Sequence, residues 1–263
     1  GSDLVNHCVN DIAVQGATPL FFLDYLATGR LDPRIIETVI SGVAAACKEN
    51  GCALIGGETA QMPGFYADNE YDLAGFIVGV VDREKLITGK SIRSGDVVLG
   101  FPSTGLHTNG YSLARKLFFD VAGYKPSQRV PALKEKAGAA LMKVHRSYLP
   151  LMRQLTRAGV VAGMAHITGG GITENLPRIL PKGVSAEIDT QSWPLPPIFQ
   201  HLQELGRVSD DEMLRTFNMG IGLIAVVPAE EWKRAQALLG RLDEPFHVLG
   251  QVVKGDRSVV YTQ

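Results

Sequence analysis

From Leu4 to Gln15 the apolar side chains Leu4, Val5, Cys8, Val9, Ile12 and Ala13 recur every three or four residues, with Asp3, His7 and Asp11 on the other side. That spacing predicts an amphipathic helix, stopped by Gly16 and Pro19. Leu20–Leu23 is a short continuous apolar run, the pattern of a strand buried on both faces. Asp32-Pro33 supplies an N-cap and a first-turn proline, so a second helix follows through Ile35, Ile36, Val39, Ile40, Val43 and Cys47, with Gly51 as its stop. Cys52–Ile55 and Tyr71–Val81 read as two more strands.

Lys85–Arg93 has no apolar period and predicts a connector between two domains, 1–88 and 92–263. Beyond it the pattern restarts. Strands are expected at 97–101, 162–167, 184–188 and 221–227, and helices at 111–119, 151–157, 172–180, 197–205 and 229–239. Residues 245–253 and 258–261 are expected to form a hairpin across Lys254-Gly255-Asp256. Strands and helices alternate in both parts, so the class is α/β or α+β.

Composition adds three limits. The 26 Lys+Arg and 27 Asp+Glu leave a formal charge of −1, with no basic run to grip a nucleic acid. No apolar stretch approaches the ~18 residues of a membrane helix. The three cysteines form no CxxC and cannot all pair with one another, so the expected setting is a reducing, cytoplasmic one. The unusual count is glycine, 29 of 263 residues, where ~7% is ordinary.

Those glycines fall in clusters beside polar residues. Asn10-Asp11 on the first helix precedes Gln15-Gly16-Ala17; alone, such an acid is usually solvated surface. Ile55-Gly56-Gly57-Glu58-Thr59 reads as a strand running into a loop, where glycines let backbone amides approach an anion and an acid can hold Mg²⁺. A plain turn is the competing reading. Ser103-Thr104-Gly105-Leu106-His107-Thr108-Asn109-Gly110 lies between a strand and a helix start, which suits a phosphate. His166-Ile167-Thr168-Gly169-Gly170-Gly171 repeats that arrangement, and Asn218-Met219-Gly220-Ile221-Gly222 puts glycines into a strand pattern. Neither a P-loop nor a Rossmann fingerprint is present. His145, His201 and His247 lack glycine neighbours and read as structural or surface residues. The residues thus point to an enzyme that handles phosphate groups with Mg²⁺.

Taken in order, five blocks are specific. They are Val9–Ile12 through Gln15-Gly16-Ala17 to Tyr25; Gly56-Gly57-Glu58-Thr59-Ala60 to Gly64; Gly105–Leu113; His166–Gly171 with Glu174–Arg178; and Phe217–Gly222. Together they closely resemble the phosphoribosylformylglycinamidine cyclo-ligases, or aminoimidazole ribonucleotide synthetases, and the resemblance runs in order along essentially the whole chain. The resemblance implies ATP-dependent closure of formylglycinamidine ribonucleotide to aminoimidazole ribonucleotide in purine biosynthesis, by a two-domain homodimer. It implies Asp11 and Glu58 as Mg²⁺ ligands, and Asn10, Gly56, Gly57, Thr59, Thr108 and Gly169–Gly171 as nucleotide or phosphate contacts. His107, Asn109 and His166 are then the expected catalytic residues.

Two departures stand out. Gln61 occupies a position where the family pattern has an acid. The family also carries an upstream Gly-rich loop, a lysine and an Asp-Gly-Val-Gly-Thr-Lys element that complete the ATP site, so the first domain is expected to be incomplete in this chain. Selenophosphate synthetase, thiamine-monophosphate kinase and the hydrogenase maturation protein share the scaffold and are the alternative enzymes, and a non-catalytic dimerisation module is the alternative of another class. The Leu106–Gly110 and Phe217–Gly220 blocks favour the cyclo-ligases.

Overall fold

The computed structural model describes residues 1–263. They divide into two compact units, Gly1–Leu86 with Ser147–Met152, and Ile87–Arg146 with Arg153–Gln263. Ser147–Met152, expected in the second domain, therefore clusters with the first. Its anchors are local to that unit: Tyr148 N–H donates to Asn10 Oδ1 at 2.9 Å, and Ser147 Oγ donates to Asn50 Oδ1 at 2.6 Å.

The first unit holds two helices, α1 (Ser2–Ala13) and α2 (Pro33–Asn50), and three strands, β1 (Thr18–Thr28), β2 (Ala53–Gln61) and β3 (Tyr71–Val80). Helix α2 begins as its sequence dictates, with Asp32 Oδ1 accepting Arg34 N–H at 2.9 Å, and ends on Gly51 at φ 67°. The sheet order is β2-β1-β3, with β2 parallel and β3 antiparallel to β1.

Both helices pack on one face of this sheet. Phe22 and Leu26 are buried there, and a Cβ on Gly75 would lie 3.1 Å from Leu4 Cγ of α1. Side chains alternate along a strand, so Leu23, Tyr25, Phe76 and Val80 belong to the opposite face. Phe76 and Val80 are 65% and 55% exposed.

Two strands run further than their apolar runs predict. β1 continues through Asp24 and Thr28 because, as the central strand, it is hydrogen-bonded on both sides. β2 continues through Gly56-Gly57-Glu58-Thr59, so this motif is not a loop beyond a strand but part of the strand itself. A register shift between Phe22 and Leu23 absorbs Ile55 as an extra residue, beside Gly56 at φ 148°. Gly57 has no room for a side chain, since a Cβ would lie 2.1 Å from Asp24 O.

The second unit is built on a six-stranded sheet of β4 (Val97–Pro102), β7 (Gly163–His166), β8 (Val184–Asp189), β9 (Ile221–Val227), β10 (His247–Lys254) and β11 (Val259–Thr262). The order is β11-β8-β10-β4-β9-β7, and every pairing except β11–β8 is antiparallel. A two-residue ladder joins β5 (Arg129–Val130) to β6 (Glu135–Lys136). The helices are α3 (Tyr111–Arg115), α4 (Ala137–Leu141), α6 (Gly171–Asn175), α7 (Pro197–Gly206), α8 (Asp210–Thr216) and α9 (Trp232–Leu242), and α5 (Leu149–Ala158) begins in the first unit. Strand β9 is buried at every position, and Phe118, Phe199, Met213 and Phe217 pack into the same core.

The expected hairpin does not form. β10 and β11 flank β8 instead, where Ile188 pairs with Gly250 on one side and Tyr261 on the other. β8 is largely buried and needs partners along both edges. The turn between β10 and β11 wraps its end, with Gly255 N–H on Gly183 O at 3.1 Å. Helix α8 was not expected, although Ser209-Asp210-Asp211-Glu212 is a capping signature, and Ser209 Oγ accepts Glu212 N–H at 3.4 Å.

Candidate active site

Strands β4 and β7 both run antiparallel to β9, so the carboxyl ends of β4 and β7 meet the amino end of β9. Pro102 pairs with Ile221 and His166 with Leu223. Register alone therefore gathers Ser103–Gly110, Ile167–Gly170 and Asn218–Gly220 at one end of the six-stranded sheet.

Asn218 ties these loops together. Its Nδ2 donates to Gly105 O at 2.9 Å, and its Oδ1 accepts Gly220 N–H at 2.8 Å. Ser103 N–H donates to Gly220 O at 2.8 Å. Gly110 is required where it stands, because a Cβ would lie 2.3 Å from the buried Phe217 ring. Asn175 does the same service for the glycine loop, donating to Gly171 O at 2.8 Å and Gly169 O at 3.1 Å.

Inside this frame His107 and Thr108 both adopt left-handed backbone, φ 51° and 64°. For non-glycine residues each such position costs ~1–3 kcal/mol, which only a well-determined surrounding sustains. Here Asn109 Nδ2 and Thr108 Oγ1 both donate to His107 O, at 2.7 and 2.5 Å. A Cβ on Gly169 would sit 3.3 Å from Asn109 Oδ1, so the two loops adjoin at that pair.

The His107 ring is fully buried. Two backbone amides converge on its Nε2, Thr104 N–H at 3.0 Å and Arg146 N–H at 3.4 Å. Thr104 Oγ1 lies 2.9 Å from the same nitrogen and donates its own proton to Val144 O at 2.6 Å. Nε2 is therefore an acceptor and the ring proton resides on Nδ1. This histidine is a structural pivot of the loop rather than a group with Nε2 free for proton transfer.

His145 stacks on His107 with ring centroids 4.2 Å apart and planes 17° apart. Its Nε2 lies 2.9 Å from His166 Nε2, and its Nδ1 lies 3.2 Å from Thr108 Oγ1. His145, expected from its sequence context to be structural or on the surface, is fully buried beside His107 and His166. Its partners lie 21 and 37 residues away in the chain. No local pattern announces such contacts; the one signal is a lone histidine in a non-helical polar stretch, Lys143–Ser147.

The first-unit residues are arranged differently. Asn10 is fully buried and occupied with Tyr148. Asp11 is half exposed on α1, its Oδ2 3.3 Å from His7 Nε2. Glu58 pairs in register with Tyr25 and so projects from the face of the sheet away from the helices. Carboxylate oxygens suit Mg²⁺, but Asp11 and Glu58 lie on opposite sides of this sheet and do not form a ligand pair within the unit. Thr59 and Gly56 lie on the exposed edge strand β2. Cys8 is pushed up to about 11, chiefly by burial and then by the Asp11 carboxylate.

Comparison with known proteins adds the family. Residues 1–81 match the AIR synthase related protein N-terminal domain, and residues 93–263 its C-terminal domain. A phosphoribosylformylglycinamidine cyclo-ligase of Alkaliphilus oremlandii is 50% identical over 260 residues, 99% of this chain and 76% of that protein. The protein of the same name from Citrifermentans bemidjiense is 51% identical over 256 residues, 97% of this chain and 74% of that one. Among solved structures, Escherichia coli HypE, a hydrogenase maturation protein, aligns with TM-score 0.73 at 20% identity, over 100% of this chain and 76% of that one. Thiamine-monophosphate kinase from Stenotrophomonas maltophilia aligns with TM-score 0.72 at 19% identity, over 98% and 78%. At such identities the structures share the fold alone.

Proposed function

The chain belongs to the AIR synthase related family and, within it, to the phosphoribosylformylglycinamidine cyclo-ligases, and on that premise we propose how it closes the imidazole ring of formylglycinamidine ribonucleotide. The observation that carries the proposal is the gathering of the family's His, Asn and Gly blocks at one end of the six-stranded sheet.

Ring closure needs three things: the formyl oxygen must become a leaving group, a substrate nitrogen must attack that carbon, and the nitrogen must shed a proton. ATP supplies the phosphoryl group that turns the oxygen into a leaving group, with Mg²⁺ offsetting phosphate charge. His166 is assigned as the acceptor of the nitrogen's proton. Asn109 holds the reacting end beside Gly169, and the backbone amides of Gly169 and Gly170 are assigned to the ribonucleotide's phosphate, the Gly171 amide being spent on Thr168 O at 3.1 Å. His107, with Nε2 occupied by amides, keeps the Thr108–Asn109 turn in its left-handed form.

Asp11 and Glu58 are assigned as carboxylates for the nucleotide's Mg²⁺, and because they lie on opposite sides of the β2-β1-β3 sheet they would not hold the same ion within one unit. The protein acts as a homodimer through the outer face of that sheet, where Leu20, Ile55, Phe76 and Val80 are exposed. Its setting is cytoplasmic, in keeping with three free thiols; no helix is long and apolar enough to cross a membrane.

With Mg²⁺ and ATP present, the protein is expected to release ADP only when formylglycinamidine ribonucleotide is added. ADP release driven by thiamine monophosphate instead overturns the proposal.

A further inference from the structure

We propose that Trp193 is a positioning residue: its indole N–H fixes the orientation of the Met219–Gly220 peptide and, through Asn218, the start of the Ser103–Gly110 loop. Asn218–Ile221 is a tight turn, closed by Ile221 N–H on Asn218 O at 3.0 Å. Its central residues, Met219 at φ 51° and Gly220 at φ 97°, both have positive φ, the signature of a type I′ turn. Such a turn favours Gly, Asn and Asp at its centre, so methionine does not select this conformation by itself. Met219 is also buried, and its carbonyl therefore needs a donor from the protein rather than from water. Trp193, equally buried in the loop between β8 and α7, supplies it, with Nε1–H on Met219 O at 2.9 Å.

The same peptide is held at its other end. Gly220 N–H donates to Asn218 Oδ1 at 2.8 Å, so two different side chains claim the C=O and the N–H of one peptide plane. The turn with that plane reversed, type II′, needs a negative φ at residue 220. It would swing the Met219 carbonyl away from Trp193 and the Gly220 N–H away from Asn218. Pro196 backs the turn, since a Cβ on Gly220 would lie 2.6 Å from Pro196 Cδ. Three bonds carry the orientation onward: Asn218 Nδ2 to Gly105 O at 2.9 Å, Ser103 Oγ to Asn218 Oδ1 at 3.0 Å, and Ser103 N–H to Gly220 O at 2.8 Å. Trp193 thus bears on the loop of His107 and Asn109 through this turn. The consequence for catalysis rests on the cyclo-ligase reading: a loop set off by a fraction of an ångström misplaces the reacting end and slows turnover.

The test removes one proton donor and keeps the ring. The chain has two tryptophans, so in a Trp232→Phe protein only position 193 takes up a tryptophan analogue. Benzothienylalanine carries sulfur in place of the indole N–H, whereas 5-fluorotryptophan keeps the N–H. In ¹H–¹⁵N spectra without substrate, the Gly220 amide and the Asn218 side-chain amide are expected to shift with benzothienylalanine and to stay in place with 5-fluorotryptophan. In the ring-closure assay the benzothienylalanine protein is expected to lose about tenfold in kcat with KM held, and the 5-fluorotryptophan protein to keep the unaltered rate. A residue that only packs would lower the melting temperature and leave both signals in place, which overturns the proposal, as does an unchanged kcat when the signals move. Because the spectra need no substrate, failure of the cyclo-ligase reading shows instead as an inactive unsubstituted protein whose signals still respond to the change at residue 193. If the substituted protein fails to fold, the indole proton of Trp193 in the unaltered chain decides: slow exchange with D₂O supports the bond, and exchange at the rate of a free indole overturns it.

Discussion

Two glycine motifs of similar composition end in opposite circumstances. Gly56-Gly57-Glu58-Thr59 lies inside an exposed edge strand, with ladder hydrogen bonds on the β1 side. Gly169-Gly170-Gly171 is a turn whose Gly169 and Gly171 carbonyls accept from Asn175 and whose Gly170 carbonyl accepts from Glu174 N–H, with Gly171 pressed against the backbone of Leu214. The first set of glycines permits strands to lie close and bend; the second builds a rigid rim around buried histidines. A glycine count cannot distinguish these roles, because the difference is made by what each chain segment meets. The same contrast holds for the sheets. The three-stranded sheet has helices on one face and exposed Phe76 and Val80 on the other, while β9 of the six-stranded sheet is buried throughout.

The contrast is sharpest for single methyl groups. Gly171 has φ 58°, and a Cβ there would lie 2.0 Å from Leu214 O, so Gly171→Ala is expected to cost ~3 kcal/mol or more. Gly56 has φ 148° with open space around the added atom, so Gly56→Ala should cost only ~1 kcal/mol. Calorimetric melts of both variants measure the difference. Equal losses would mean that the two glycine segments are under the same constraint, against this account.

The open sheet face gives the next test. Phe76→Glu is expected to convert a particle of about twice 28.4 kDa into one of 28.4 kDa in a light-scattering mass measurement. An unchanged mass would remove the β2-β1-β3 face from the dimer contact.

The smallest effect probes the covered face of the same sheet. Burial, and then the neighbouring Cys52 thiol, push Cys47 up to about 12. Alkylation by iodoacetamide at pH 8 should therefore be roughly 100-fold slower or more than for a free thiol. The folded thiol holds its proton more tightly than the unfolded one, whose ordinary value is 9.0. This contribution to stability is thus complete below pH 9 and is lost as pH rises toward 12. Rapid labelling of Cys47 in the native protein would show that the face under α2 is not sealed.

Periodicity and capping made much of the fold legible. Asp32-Pro33 and Gly51 bracket α2 in the sequence and in the structure. The motifs also fall at the ends of β4 and β7 and at the start of β9, and the register of the ladders is what brings those three segments to one end of the sheet. What failed depended on partners distant in sequence. The β10–β11 hairpin was a local inference overruled by the demand of β8 for two neighbours. The Gly56–Thr59 loop was overruled by the parallel ladder to β1. His145 was invisible because its role exists only through Thr108 and His166. Asp11 and Glu58, alike as acids, lie on different sides of one sheet, and only register reveals it.

The central claim is that the histidine cluster of the second unit performs ring closure, with His166 taking the proton. Steady-state formation of aminoimidazole ribonucleotide by His166→Asn tests it most directly. The account predicts a kcat lower by ~10²–10⁴-fold, the span for losing a general base, with KM close to that of the unaltered protein. A His166→Asn protein that turns over at the unaltered rate would contradict it.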